Sequence, residues 1–287
     1  MEQNEAPHPT AELKEERGLE WWQWNHPTSG VLQIELTGKG VHDRSTVAAR
    51  AGQFMTDEDY VILARSDVDV YLPRTTSALE LLMGAEDNPE DRLLASFRKG
   101  VFPREGCNAY RDALRGAAGS SRNRGNAAGV LDLEELKRRF GARLIVESPT
   151  RASYYTKDGL RSMTTISNGV YSGIAGYFNA TPRNPYCRKT ARTRDFPAEF
   201  EKASEFVRHV DREFKRLIPG RWAAQRRFIE DHSIEKHGWA VAGTAFTTMT
   251  VNRNYRTGLH LDDGDLSAGF GNLTALDAVL ADIGRRG

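Results

Sequence analysis

The sequence predicts an α+β protein, and three features carry that prediction. Residues 247–251 form a β-branched run in which Thr247, Thr248, Thr250 and Val251 read as a strand with alternate side chains on opposite faces. Residues 163–178, MTTISNGVYSGIAGYF, mix β-branched and aromatic residues with glycines. Glycine within a strand marks a bulge or the close approach of another backbone, which suits a barrel wall beside a ligand. Between the two runs, Phe200, Ala203, Phe206, Val207, Val210, Phe214 and Leu217 recur at helical spacing after Pro197, and Pro219-Gly220 stops the series.

Taken in order, residues 1–17 are polar and are expected to be disordered, and residues 18–129 form an N-terminal α+β region. Trp21, Trp22 and Trp24 read as a strand or turn that anchors the N-terminus, with a base-stacking platform as the alternative. VLQIEL over residues 31–36 alternates as a strand, and residues 59–72 suggest one or two more, with Asp67 and Asp69 as strand-edge or turn carboxylates. Residues 75–83 and 88–97 read as helical, the second capped by Asn88 with Pro89 at its first position. Residues 116–129 are small and glycine-rich, carry Arg122 and Arg124, and are expected to divide the chain. They read as a flexible connection or as a basic loop reaching a phosphate backbone. Asp132, with Glu135 three positions on, then starts a helix that Gly141 ends, and residues 143–147 return as a strand. Arg183, Arg188, Lys189, Arg192 and Arg194 make a rigid basic segment, and a second helical piece over residues 221–231 carries Trp222 and Phe228. His209, His232 and His237 read as helix or loop residues rather than metal ligands.

A length of 287 residues suffices for a sizeable core, and 28% charged with 39% hydrophobic residues is ordinary for a globular protein. The net charge of +1 makes no global electrostatic case for nucleic acid, so any such surface must come from local Lys and Arg clusters. Neither a transmembrane run nor a signal peptide is legible, and no membrane partner is expected. Cys107 and Cys187 lack CxxC partners, which points to reduced thiols and a cytoplasmic location.

The chemistry concentrates at His260-Leu261-Asp262. In an extended segment residues i and i+2 project from one face, so the imidazole and the carboxylate can converge as two legs of a 2-His-1-carboxylate site for non-haem Fe(II). A plain strand end beside the acidic cluster Asp262, Asp263 and Asp265 is the alternative. The surrounding FTTMTVNRNYRTGLHLDDGD, followed by GFGNLTAL, resembles the core signature of the TET/JBP family. These are Fe(II)- and 2-oxoglutarate-dependent dioxygenases that oxidise methyl groups on nucleic-acid bases. The resemblance is strong over residues 167–276 and diffuse before them.

The resemblance implies a double-stranded β-helix (jelly-roll/cupin-like) core with flanking helices over residues 130–287. It implies Fe(II) on His260 and Asp262, 2-oxoglutarate contacted by Arg188, and a pocket rim for substrate at Asn252, Arg253, Asn254 and Tyr255. Asp265 is an N-cap or an acceptor that steadies His260. No residue of this chain is assigned a catalytic role beyond ligation. The implied activity is hydroxylation of the methyl group of 5-methylcytosine or thymine in DNA, on a base flipped from the stack, in phage or microbial base modification. For a phage-encoded protein the location is the host cytoplasm. The family's second histidine and its 2-oxoglutarate arginine lie many tens of residues beyond HxD, whereas no histidine follows His260 before Gly287. The expectation is therefore a core incomplete at its C-terminus, either completed by a second polypeptide or inactive. Two other functions stay open, an oxygenase acting on a free nucleoside or small molecule and a non-catalytic DNA-binding or assembly protein. Salt-dependent DNA affinity separates these.

Overall fold

A computed structural model describes residues 6–40, 49–73, 89–122, 124–178, 180, 186–254, 256–260 and 269–276. The helix expected over residues 75–83 lies outside them. The chain divides into two units, residues 1–45 with 55–101 and residues 46–54 with 102–287. The first carries 9 Lys and Arg against 18 Asp and Glu, the second 31 against 21, so the near-neutral total is the sum of an acidic unit and a basic one. No helix among the described residues is long and apolar enough to cross a membrane.

The first unit is a mixed five-stranded sheet: β1 (Glu12–Glu16), β2 (Leu19–Asn25), β3 (Leu32–Leu36), β4 (Val68–Tyr71) and β5 (Leu93–Phe97), side by side in that order. Only the β3/β4 pairing is parallel. Arg17-Gly18 joins β1 to β2 with both φ angles positive, 49° and 84°, the geometry that matches a two-residue turn to strand twist. Within the stretch expected to be disordered, residues 12–16 form β1. ELKEE has no apolar face of its own, and it becomes a strand by pairing with the edge of β2. The helix expected over residues 88–97 is corrected, with one helical turn, Pro89–Arg92, giving way to β5. Helix-forming Leu93, Leu94 and Ala95 take up the hydrogen bonds offered by β4 instead.

One face of this sheet buries Trp21, Ile34, Leu36 and Val68. The other buries polar groups: Gln33 is 5% and Glu35 6% exposed. Asp69, read from the sequence as an edge carboxylate, is the hub of that face. It accepts from Gln33 Nε2 (3.1 Å) and Ser96 Oγ (2.8 Å) and pairs with the Arg98 guanidinium at 2.8 Å. Burial pushes its pKa up, but the hydrogen bonds from Arg98, Ser96 and Gln33 outweigh this and hold the carboxyl below its ordinary value.

The second unit is built on β9 (Val170–Phe178). Before it come α1 (Arg104–Arg115), β6 (Ser120–Ser121), a 3-10 turn over Gly125–Ala128, α2 (Leu133–Phe140) and the hairpin β7 (Leu144–Ser148) and β8 (Arg151–Tyr154). After it come β10 (Arg188–Lys189), α3 (Ala191–Asp195), α4 (Pro197–Leu217), α5 (Pro219–Asp231) and β11 (Thr248–Arg253). Asp132 caps α2 by accepting from the Glu135 amide, as its sequence predicts. Residues 116–129, expected to divide the chain, lie inside this unit and supply β6 and the 3-10 turn.

β11 runs antiparallel along one edge of β9, from Thr248 opposite Gly176 to Arg253 opposite Tyr171. β6 and β10 share the other edge, at opposite ends. Met249 and Val251 pack against Leu114, Ala203 and Phe206 of α1 and α4, so Thr248, Thr250 and Asn252 occupy the opposite face. The glycines of β9 are close approaches, for a Cβ on Gly173 would lie 1.8 Å from the Ala117 carbonyl oxygen. Buried Asp211 of α4 accepts from the Ala245 amide (2.7 Å) and Trp222 Nε1 (3.1 Å), pinning both α5 and the approach to β11. The architecture is thus α+β, with an open sheet and helices against one face. No closed barrel forms among the described residues.

Asp211→Ala leaves two buried donors without their acceptor and is expected to cost about 2–4 kcal/mol in urea unfolding. In the first unit the lowered pKa of Asp69 sets the sign of an acid effect. Its contribution is full above the unfolded carboxyl value of about 3.9 and is lost as pH falls through the lower folded value. Unfolding followed from pH 6 to pH 2 is expected to show this loss in the parent and not in Asp69→Asn.

Candidate functional site

The segment before His260 is held by backbone. The Gly258 amide donates to the Ala127 carbonyl (3.0 Å), the Leu259 amide to Gln53 (2.9 Å), and the Gly52 amide to Leu259 (2.7 Å). The Val130 amide closes the set by donating to Gly52 (3.0 Å). Three strips of chain, around residues 52–53, 126–130 and 258–259, therefore lock together, and the crossing point has room only for glycine. A Cβ on Gly258 would lie 2.6 Å from the Asn126 carbonyl oxygen and 2.8 Å from that of Gly52. Gly129, at φ 85°, seats the Phe54 ring, which a Cβ there would meet at 2.2 Å.

His260 follows this lock, and its Nδ1 donates to the Gly258 carbonyl oxygen at 2.8 Å. A carbonyl can only accept, so Nδ1 is the donor in this bond. A backbone acceptor on one ring nitrogen is the kind of contact that orients histidines whose other nitrogen meets a metal. The donor at this position fits a borderline metal such as Fe(II). Asp262 and Tyr255 lie outside the described residues. Among those described, no three His, Cys, Asp or Glu side chains gather.

Beside the lock is a cleft of about 430 Å³, lined by Phe54, Ala128, Asn168, Gly169, Val170 and Arg256. Its volume falls in the range of small-molecule pockets. Asn168 Nδ2 donates to the carbonyls of Ala128, Gly129 and Val130 at 3.1, 3.2 and 2.8 Å, which shapes one wall.

The other residues singled out from the sequence fall at two places. Asn252 and Arg253 end β11, so this strand runs through positions that composition marks as a turn. The turn comes at Asn254, with φ 54°. Asn252 Oδ1 accepts from buried Ser172 Oγ at 2.7 Å, and the Arg253 guanidinium lies 4.5 Å from the centre of the Tyr171 ring. Arg188 is opposite Phe178 and stacks on that ring at 4.9 Å, whereas Asn252 is opposite Ser172. The six β9 positions between Ser172 and Phe178 put the two ends roughly 20 Å apart, at about 3.3 Å per residue. Arg188 thus lies at the end of β9 away from Asn252. His209 is packed among Phe102 and Tyr110, with the Tyr110 hydroxyl 3.0 Å from its Nδ1, and it acts in the core.

Sequence reasoning passed over Gly52, Gln53, Phe54, Asn168 and Arg256. Only the glycines signal a special backbone, and nothing in residues 46–54 announces that they cross to the strip before His260.

Three relatives carry the comparison with known proteins. The thymine dioxygenase JBP1 of Leishmania tarentolae is 35% identical over 156 residues, covering 54% of this chain and 18% of that protein. The bifunctional helicase and thymine dioxygenase JBP2 of Leishmania braziliensis is 27% identical over 257 residues, 87% of this chain and 19% of that protein. The thymine dioxygenase JBP1 of Trypanosoma brucei brucei is 36% identical over 122 residues, 42% of this chain and 14% of that protein. The chain spans less than a fifth of the length of these relatives. No family model and no solved structure matches it.

Gly258→Ala is expected to cost about 1–3 kcal/mol in chemical denaturation, because the carbonyls at the crossing cannot move apart without breaking the lock. Gly119→Ala, at a site with nothing within 4 Å of the added Cβ, is expected to change stability by less than about 0.5 kcal/mol.

Proposed function

We propose that this chain is an Fe(II)- and 2-oxoglutarate-dependent oxygenase of the TET/JBP type that oxidises the methyl group of thymine in DNA. The observation that carries this is the His260 imidazole, hydrogen-bonded through Nδ1 to the Gly258 carbonyl, within a segment resembling that family's HxD signature. The relatives are thymine dioxygenases, which supports thymine over 5-methylcytosine as the substrate base.

His260 and Asp262 would hold the metal, and iron with its cosubstrate supplies the C–H oxidation when bound. The remaining work falls to this chain's own groups. The backbone lock keeps the His260 ring from turning away, so the ligand is preorganised. A flipped base would enter the cleft beside the lock, walled by Phe54 and Asn168. Asn252, tied to Ser172, keeps the rim ordered at the end of β11. In this reading the β9 sheet is one wall of a double-stranded β-helix.

Anaerobic titration of the purified chain with Fe(II) and 2-oxoglutarate tests the site. A weak visible charge-transfer band is expected for the parent. His260→Ala is expected to weaken iron binding by more than the roughly 10–100-fold that loss of a supporting hydrogen bond costs. Absence of the band in the parent, or its persistence in His260→Ala, overturns the assignment. With the band present, mass spectrometry of nucleosides from duplexes containing thymine or 5-methylcytosine identifies the base, and a hydroxymethylated product from 5-methylcytosine alone overturns thymine.

A further inference from the structure

Three arginines gather where β9 begins. β6 sets Ser121 opposite Val170, and the Arg122 side chain lies next along, with its Nε 3.9 Å from where a Cβ on Gly169 would sit. On the other edge Arg253 is opposite Tyr171 and stacks on its ring. Left-handed Asn254 then turns the chain, and Arg256 lines the cleft beside Gly169 and Val170. Gly169, just before β9, and the first two residues of the strand are thereby bordered by three arginines.

Several other arginines of this unit have acidic partners. Arg151 and Arg161 share Glu147, Arg192 pairs with Glu199, and Arg226 pairs with Glu230 and Glu235. Arg122, Arg253 and Arg256 make no ion pair among the described residues, and Arg122 and Arg256 are exposed. Tyr171 is 50% exposed, so the Arg253 stack is a surface feature that orients a guanidinium in advance of any anion. β6 and β11 flank β9, so the backbones of Arg122 and Arg253 stand roughly 10 Å apart, two interstrand spacings. That spread suits successive phosphates of a backbone better than a single phosphate, and the surplus of basic residues in this unit favours the same polyanion.

We propose that Arg122, Arg253 and Arg256 form a collar that grips the phosphate backbone of duplex DNA beside the cleft. The choice of duplex DNA rests on the function proposed above, whereas the phosphate contacts need no iron. The collar positions DNA and carries no sequence information.

The test is fluorescence anisotropy of a labelled duplex with the full chain across a salt series. The parent is compared with Arg122→Gln/Arg253→Gln/Arg256→Gln and with Arg138→Gln/Arg139→Gln/Lys157→Gln, which removes the same charge from exposed positions elsewhere in the unit. The collar variant is expected to lower the slope of log affinity against log salt by about 2.7, or 0.9 per lost phosphate contact, with the control near the parent. An unchanged slope in the collar variant, or an equal fall in the control, overturns the collar. The iron and 2-oxoglutarate band of the collar variant, together with its thermal melt, reports folding separately. A slope change in a chain that shows no band upholds the collar while the oxygenase assignment fails, and a band with no slope change does the reverse.

Discussion

The antiparallel ladder between β9 and β11 is the constraint from which the second unit follows. Its register, Thr248 on Gly176 through Arg253 on Tyr171, decides which side chains of β11 face the helices and which face away. A slip of one residue would exchange Met249 and Val251 for Thr248, Thr250 and Asn252 against α1 and α4, burying hydroxyls and an amide where apolar groups now pack. Several interactions prevent the slip. The Ser172 hydroxyl reaches Asn252, the Thr248 hydroxyl donates to the Tyr177 carbonyl, and Asp211 fixes the chain just before the strand begins.

Beyond the ladder the chain is steered by backbone rather than by side chains. Residues 52–53 and 126–130 meet the strip before His260 through amide–carbonyl bonds, and glycine at 258 permits the approach. A side chain presented this way stays indifferent to most neighbouring side chains. The carbonyl of Gly258 accepts from its Nδ1, and the backbone lock sets its position. The arrangement trades conformational freedom for preorganisation, as a metal ligand needs.

Charge is divided along the chain as sharply as structure. The acidic first unit buries part of its charge within a sheet face, where Arg98 and Arg92 neutralise Asp69 and Glu35. The basic second unit leaves cations at the end of β9, and it is also the unit that carries His260 and the cleft.

Local physics was legible in the sequence: the 3.6-residue apolar period of α4, the Asp132 cap, the β-branched run of β11, and the glycines of β9 as close approaches. The HxD pattern was legible too, because two residues of alternating spacing need no distant partner to be noticed. Tertiary structure decided what depends on pairing. ELKEE became a strand because β2 lent it hydrogen bonds, and residues 93–97 left their helical preference for β4. Asp69 became a buried hub because three partners arrived from other strands and loops. Arg188, close to the other candidates in composition, was carried roughly 20 Å along β9 from Asn252, at about 3.3 Å per residue. Gly52, distant in sequence, was brought against Leu259. Sequence encodes periodicity and local chemistry directly, whereas which backbone meets which is settled by the joint burial of many residues.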